Sequence, residues 1–171
     1  SRITAINEKA GKAGSMIFVT VAHAVSTARG VAMEEEQDIV YLAIPPAFAA
    51  PPPTLPPRSP DWSVDWPIDP VLLFRFSAFT FNGHRIHYDL AYAAEEGYQG
   101  LLVHGPMQAA LMLNLASRKL GHVPRRFDYR CLAQLYSGTT FGVGSDERGT
   151  RIVRSDGVIT AEGQAHARDT G

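Results

Sequence analysis

The sequence predicts an α+β fold, an antiparallel sheet wrapped around one buried central helix. Three observations predict it. The segment 105–120 is apolar around nearly its whole circumference, through Met107, Ala109, Ala110, Leu111, Met112, Leu113, Leu115, Ala116 and Leu120, so it reads as a helix covered on most sides. Runs of β-branched and aromatic residues, bounded by turn residues, precede and follow it. A stretch at 45–70 holds ten of the twelve prolines and divides the chain into 1–44 and 71–171. Proline lacks an amide donor and disfavours helix in the residue before it, so this stretch reads as an extended linker.

Taken in order, residues 2–9, 15–25 and 31–42 are expected as strands, with turns at 11–14 and 28–30. Met16-Ile17-Phe18-Val19-Thr20-Val21 has the composition of a half-buried pleated surface. No amphipathic helix of useful length precedes the linker. After it, 71–81 is expected as an extended strand and loop, and 87–96 as a short helix. The helix at 105–120 is the strongest expectation. Gly105 stands at its cap, Pro106 in its first turn, Arg118 and Lys119 in its last turn, and Gly121 just past its end. That is the proline-first, glycine-last asymmetry, with cations at the negative end of the dipole. Strands are expected at 126–136, 139–146, 150–154 and 158–168, with Asp156-Gly157 as a hairpin turn.

The two halves end alike. Gly30–Gln37 and Gly157–Gln164 both read G-V-x-x-x-E-x-Q. A match this short also arises by chance; the alternative is a duplicated domain. A sheet around one buried helix is the hot-dog arrangement. The expectation is therefore a double hot dog with an incomplete front copy: 1–44 supply its C-terminal strands, and 71–171 form a complete unit. The chain then reads as a fragment of a longer protein. A lone three-stranded meander leaves an apolar face exposed, so 1–44 are expected to complete a sheet with the second half or with another chain.

Composition narrows the function. The chain has 171 residues, 45% apolar and 19% charged, in the globular range. Its net charge of −1 gives no field directed at nucleic acid or an anionic membrane. No apolar run reaches the roughly 20 residues of a membrane span. Cys131 is the only cysteine, which excludes an internal disulfide and any CxxC motif. The start, Ser1-Arg2-Ile3-Thr4, has no signal-peptide pattern. A cytoplasmic setting is expected.

Three of the six histidines cluster, His84, His87 and His104. The first two lie in Phe79–Asp89, F-T-F-N-G-H-R-I-H-Y-D, between the expected strand and the short helix, where loops hold reactive groups on a rigid frame. The third lies in G-L-L-V-H-G-P, Gly100–Pro106, at the start of the buried helix. Unpaired amides and the positive end of the dipole favour an oxyanion there. Each residue has a plainer reading. Asn82 before Gly83 suits a turn. His84 suits a helix cap, His87 a packed core, His104 a structural bond, and Gly105 close packing. Arg85 suits a solvated surface or an anionic group of a substrate. Tyr88 and Asp89 suit packing and capping. The spacing of His84 and His87 allows metal ligands, but no Cys or carboxylate set accompanies them, so no metal is expected.

The stretch 74–116 resembles the R-specific enoyl-CoA hydratase, or MaoC-like, family. There a D-x-N-P-[LIV]-H motif is followed by V-H-G opening the central helix; here the sequence reads N-G-H-R-I-H and then V-H-G-P. Phe81–Asp89 and Glu96–Pro106 are more similar still to a subgroup containing mesaconyl-CoA and itaconyl-CoA hydratases and 3-hydroxyacyl-thioester dehydratases. The resemblance implies a lyase that hydrates 2-enoyl-CoA thioesters or dehydrates 3-hydroxyacyl thioesters. It implies His87 as the catalytic histidine, Asn82 in place of the family's aspartate, and His84 where the family has asparagine. It implies that the Gly105 amide faces the thioester oxygen. Arg85 and His104 are the further substrate-binding candidates. An amide cannot take a proton from water at neutral pH, so His87 is expected to move the proton and Asn82 to orient the water. No cofactor is implied, since CoA arrives with the substrate. A homodimer or an intrachain pair of hot dogs is expected, because the clefts lie between two units. Two other readings stand beside this one. One is a hot-dog thioesterase, although the helix at 106–120 holds no Asp or Glu. The other is a non-catalytic, acyl-binding half of a larger assembly.

Overall fold

The computed structural model describes residues 1–11, 14–43, 52–55 and 68–166. The chain divides into two compact units, Ser1–Pro46 and Ala47–Gly171. Most of the expected linker (45–51 and 56–67), residue 44 before it, part of the 11–14 turn and the end of the last expected strand lie outside the described residues.

The first unit is a meander. β1 (Arg2–Gly11), β2 (Gly14–Thr27) and β3 (Gly30–Leu42) pair antiparallel in the order β1-β2-β3. Among the described residues of this unit none is fully buried. Ile3, Ile6, Val31 and Met33 are each more than half exposed. This is the uncovered apolar surface that a lone meander is expected to leave.

In the second unit β4 (Arg126–Cys131), β5 (Phe141–Asp146), β6 (Gly149–Arg154) and β7 (Ile159–His166) form an antiparallel sheet in the order β4-β7-β6-β5. The sheet packs on α3 (Gly105–Leu120), which touches all four strands. Met107, Met112 and Leu115 of the helix meet Phe141, Val143, Ile152 and Ala161 of the sheet. The helix is buried or half-buried over most of its first three turns, as its apolar circumference requires. This is the hot-dog arrangement. The repeated pattern begins at one structural place in both units. Gly30 (φ 110) leads into β3 and Gly157 (φ 84) into β7, each in the left-handed backbone region that glycine enters freely. Five residues on, Glu35 faces His23 and Glu162 faces Arg151 across the strand pair.

Three expectations fail. Residues 71–81 form a helix, α1 (Pro70–Thr80), rather than a strand and loop. The Asp69 side chain accepts from the Leu72 amide at 2.7 Å, and Pro70 occupies the first turn, where its missing N–H costs nothing. Apolar side chains lie on all sides of α1: Leu73 is buried, while Val71, Phe74 and Phe79 are exposed. Such a run has no period that separates helix from buried strand. The helix at 87–96 is also broken. A single 3₁₀ turn spans Arg85–His87, and α2 spans Leu90–Glu95. Asp89 restarts the helix by accepting from the Tyr92 amide at 3.0 Å. The first strand after α3 ends at Cys131 rather than 136; Leu135 is buried in the core instead.

Candidate active site

The end of α1 starts the site. Phe81 takes a left-handed conformation (φ 54), and the Asn82 amide donates back to the Ser77 carbonyl at 2.9 Å. This closes the helix and turns the chain. The Asn82 side chain then accepts from the His84 amide at 3.0 Å, so its Oδ1 is engaged, while its Nδ2 has no partner among the described residues. The 3₁₀ turn follows and carries His87 inward, where it is only 8% exposed.

The loop before α3 meets it there. The Leu102 amide donates to the Ile86 carbonyl at 3.0 Å, and the Val103 amide to the Leu135 carbonyl at 2.8 Å. The loop is thereby tied to the 3₁₀ turn on one side and to the core on the other. Nδ1 of His87 lies 2.9 Å from the Leu102 carbonyl oxygen. A carbonyl only accepts, so Nδ1 carries the hydrogen, and in the neutral ring Nε2 holds the lone pair. Burial pushes the His87 pKa below its ordinary value; the Leu102 bond opposes this, and His84 adds to it.

His104 lies against His87. The two rings stack with centroids 3.6 Å apart and planes 18° apart. His104 is fully buried, bonded through Nε2 to Ser77 Oγ at 2.8 Å, and its Nδ1 has no partner among the described residues. Burial, with the adjacent His87, pushes its pKa down to about 4. The ring of His84 stands edge-on to His87 at 5.9 Å and its Nε2 meets Glu96 at 3.3 Å. The site thus holds a neutral imidazole pair with a half-exposed histidine at its edge.

Gly105 begins α3, ahead of the helical ladder, where amides lack intrahelical partners. A Cβ there would lie 3.0 Å from the Cys131 sulfur, so close packing also favours glycine. The candidates divide accordingly. His84, His87 and His104 come together, Asn82 heads the same turn, and Gly105 follows His104. Arg85 is engaged elsewhere: it binds Asp89 at 2.7 Å and lies 4.3 Å over the Tyr92 ring. None of these residues lines the groove of about 450 Å³ on the unit, whose Arg130 and Arg151 are already paired with Glu162 and Asp146. Among the described residues no three His, Cys, Asp or Glu side chains group as a metal site. Two groups of the site carry no signal in the sequence: Ser77, in a segment whose composition predicts a strand, and the Leu102 carbonyl, a backbone group with no side-chain identity.

A family model described as hydroxyacyl-thioester dehydratase type 2 matches residues 1–137.

The chain belongs to the hydroxyacyl-thioester dehydratase type 2 family.

Its match spans the first unit and the site motifs alike. The family member is 43% identical over 149 residues to the mesaconyl-C(4)-CoA hydratase of Chloroflexus aurantiacus, covering 86% of this chain and 53% of that protein. The chain therefore spans about half the length of that relative. Among solved structures it is similar to HtdX from Mycobacterium tuberculosis, with a TM-score of 0.70 at 20% identity, over 97% of this chain and 67% of that one. It is also similar to a MaoC-like dehydratase from Phytophthora capsici, with a TM-score of 0.67 at 13% identity, over 97% of this chain and 63% of that one. The MaoC-like resemblance and the hot-dog fold read from the sequence both hold. Among the described residues no helix is long and apolar enough to cross a membrane.

Proposed function

We propose that this type 2 family member acts as a hydro-lyase on CoA thioesters, adding water to a 2-enoyl group or removing it from a 3-hydroxyacyl group. One observation carries the reading: the Leu102 carbonyl holds the His87 Nδ1 hydrogen, which leaves Nε2 as a proton acceptor beside the start of α3. Nε2 takes a proton from water as the water oxygen bonds the β-carbon. The electron pair of the double bond moves into a thioester enolate. The Gly105 amide, at the positive end of the helix dipole, stabilises the enolate oxygen. Protonated His87 then returns the proton to the α-carbon, and the atoms balance. Asn82, whose Oδ1 is engaged by the His84 amide, presents Nδ2 hydrogens that hold the water oxygen. CoA enters as part of the substrate, and no separate cofactor is needed. A second hot-dog unit completes the cleft. A mesaconyl-type acyl group is the first to test, given the 43% identical relative. The single cysteine supports a reducing, cytoplasmic setting.

Hydrolysis of the thioester is less well supported. The helix at 106–120 holds no carboxylate, and its buried Gln108 is taken up by Thr160 at 2.7 Å. The test is a panel of crotonyl-, mesaconyl- and itaconyl-CoA, followed by absorbance of the conjugated thioester with a thiol reagent in parallel. Loss of absorbance without free thiol is expected. Release of free thiol would make the protein a thioesterase, and no change in either signal would make it non-catalytic.

A further inference from the structure

His104 is a costly residue for its position. It is fully buried, and one ring nitrogen has no partner among the described residues. An unpaired buried polar atom is destabilising, a cost that an apolar side chain of similar size avoids. Something specific to an imidazole therefore offsets that cost. Its surroundings indicate what. The ring is gripped on three sides: Phe76 tilts against it at 4.8 Å, Ser77 bonds Nε2 at 2.8 Å, and the His87 ring lies on it at 3.6 Å. Phe76 and Ser77 both belong to α1, whose start is fixed by Asp69. The ring plane of His104 is thus set by α1, and the ring plane of His87 is set against His104.

We propose that Ser77 and His104 are a positioning pair for His87: Ser77 fixes the His104 ring, and that ring is the neutral platform on which the His87 imidazole is held and on which its cation forms. The proposal rests on the reading of His87 as the proton-transferring base. When Nε2 of His87 takes a proton, an imidazolium forms in face contact with a neutral π system, an attractive arrangement. A charged His104 would oppose it, and burial keeps His104 neutral. The other titratable groups around the stack are His84, edge-on to His87 at 5.9 Å, Glu96, which binds His84 at 3.3 Å, and Cys131, whose sulfur lies against Gly105. None of these stands in face contact with His87 as His104 does.

The test uses the full chain and the enoyl-CoA that the wild-type protein hydrates best. Ser77→Ala removes one hydroxyl and leaves the core volume nearly intact. It is expected to lower kcat about tenfold or more with KM within about twofold, and to raise the pH of the acid limb of kcat as the His87 ring loosens toward water. Ser77→Thr, which keeps the hydroxyl, is expected to restore most of kcat. His104→Gln is expected to lower kcat at least as far, and to move the acid limb downward, because the face contact that favours the His87 cation is gone. Melting curves are recorded for each variant. Wild-type kcat and an unmoved acid limb in Ser77→Ala and His104→Gln would overturn the proposal. So would an activity loss that only follows the unfolded fraction. His87→Ala at wild-type activity would instead remove the reading beneath it.

Discussion

Nδ1 of His87 donates to the carbonyl oxygen of Leu102 across 2.9 Å, and so the sequence motif around 87 acts through the loop before α3. The same loop donates its Leu102 amide to the Ile86 carbonyl. Two bonds of opposite direction therefore fix both the tautomer and the orientation of the ring. In the proposed mechanism neutral His87 is the active form, and burial holds its pKa below the usual 6.5. The acid limb of kcat/KM is therefore expected below pH 6.5, with activity retained in mildly acid buffer and lost as His87 gains its proton. A pH profile over pH 4.5–8.5 checks this; a limb above about 7 would contradict it.

Stability carries a second pH signature, from His104. Its folded pKa is near 4 against 6.5 for the free group, so the unfolded chain binds more protons in that window. Stability is fully present above pH 6.5, falls as pH is lowered toward 4, and levels off from this group below that. The contribution is about 3 kcal/mol at most. Urea unfolding at pH 7, 5.5 and 4.5 measures it. His104→Gln is expected to flatten the dependence.

Gly105→Ala separates packing from chemistry. The new methyl meets the Cys131 sulfur at 3.0 Å, and a thiol can turn aside. The fold is expected to survive with a modest loss of stability. If the Gly105 amide holds the enolate oxygen, hydration falls about tenfold or more through its displacement. Adding Cys131→Ala makes room for the methyl and is expected to recover part of the rate. Unchanged hydration in the single variant would remove Gly105 from the mechanism.

Asp69 supports the site from a distance through the N-cap of α1. Asp69→Ala is expected to cost about 1 kcal/mol and to lower Tm by about 2–4 °C. Asp69→Asn is expected to retain most of the stability, because its side-chain oxygen still accepts from Leu72. Equal losses in both variants would point to charge rather than capping.

The parts of this fold that were legible in the sequence are those with a period or a punctuation mark. The helix at 105–120 shows Pro106 inside its start and Gly121 past its end, and it forms as expected. The strands of the first unit carry β-branched and aromatic residues between turns and also form. The segment 70–80 has no usable period, because Val71, Leu72, Leu73, Phe74 and Phe76 leave no polar face. Its Asp69-Pro70 start was the available signal, and the proline-rich neighbourhood masked it. The site was legible as a cluster of motif residues, but its geometry was not. The His87–His104 stack joins residues 17 apart, and Ser77 reaches His104 across 27. Contacts of that separation follow from how α1 and the 100–104 loop pack, which no local pattern encodes. The Leu102 carbonyl has no side-chain identity to read.

The proposed chemistry stands or falls with His87 moving the proton in a hydration. The most direct measurement is steady-state hydration of a 2-enoyl-CoA by the wild-type protein and by His87→Gln, with secondary structure and binding of the CoA ester recorded for both. A fall in kcat/KM of about 10²- to 10⁴-fold, with fold and binding retained, is the expected result. Hydration by His87→Gln within about threefold of wild type would contradict the account.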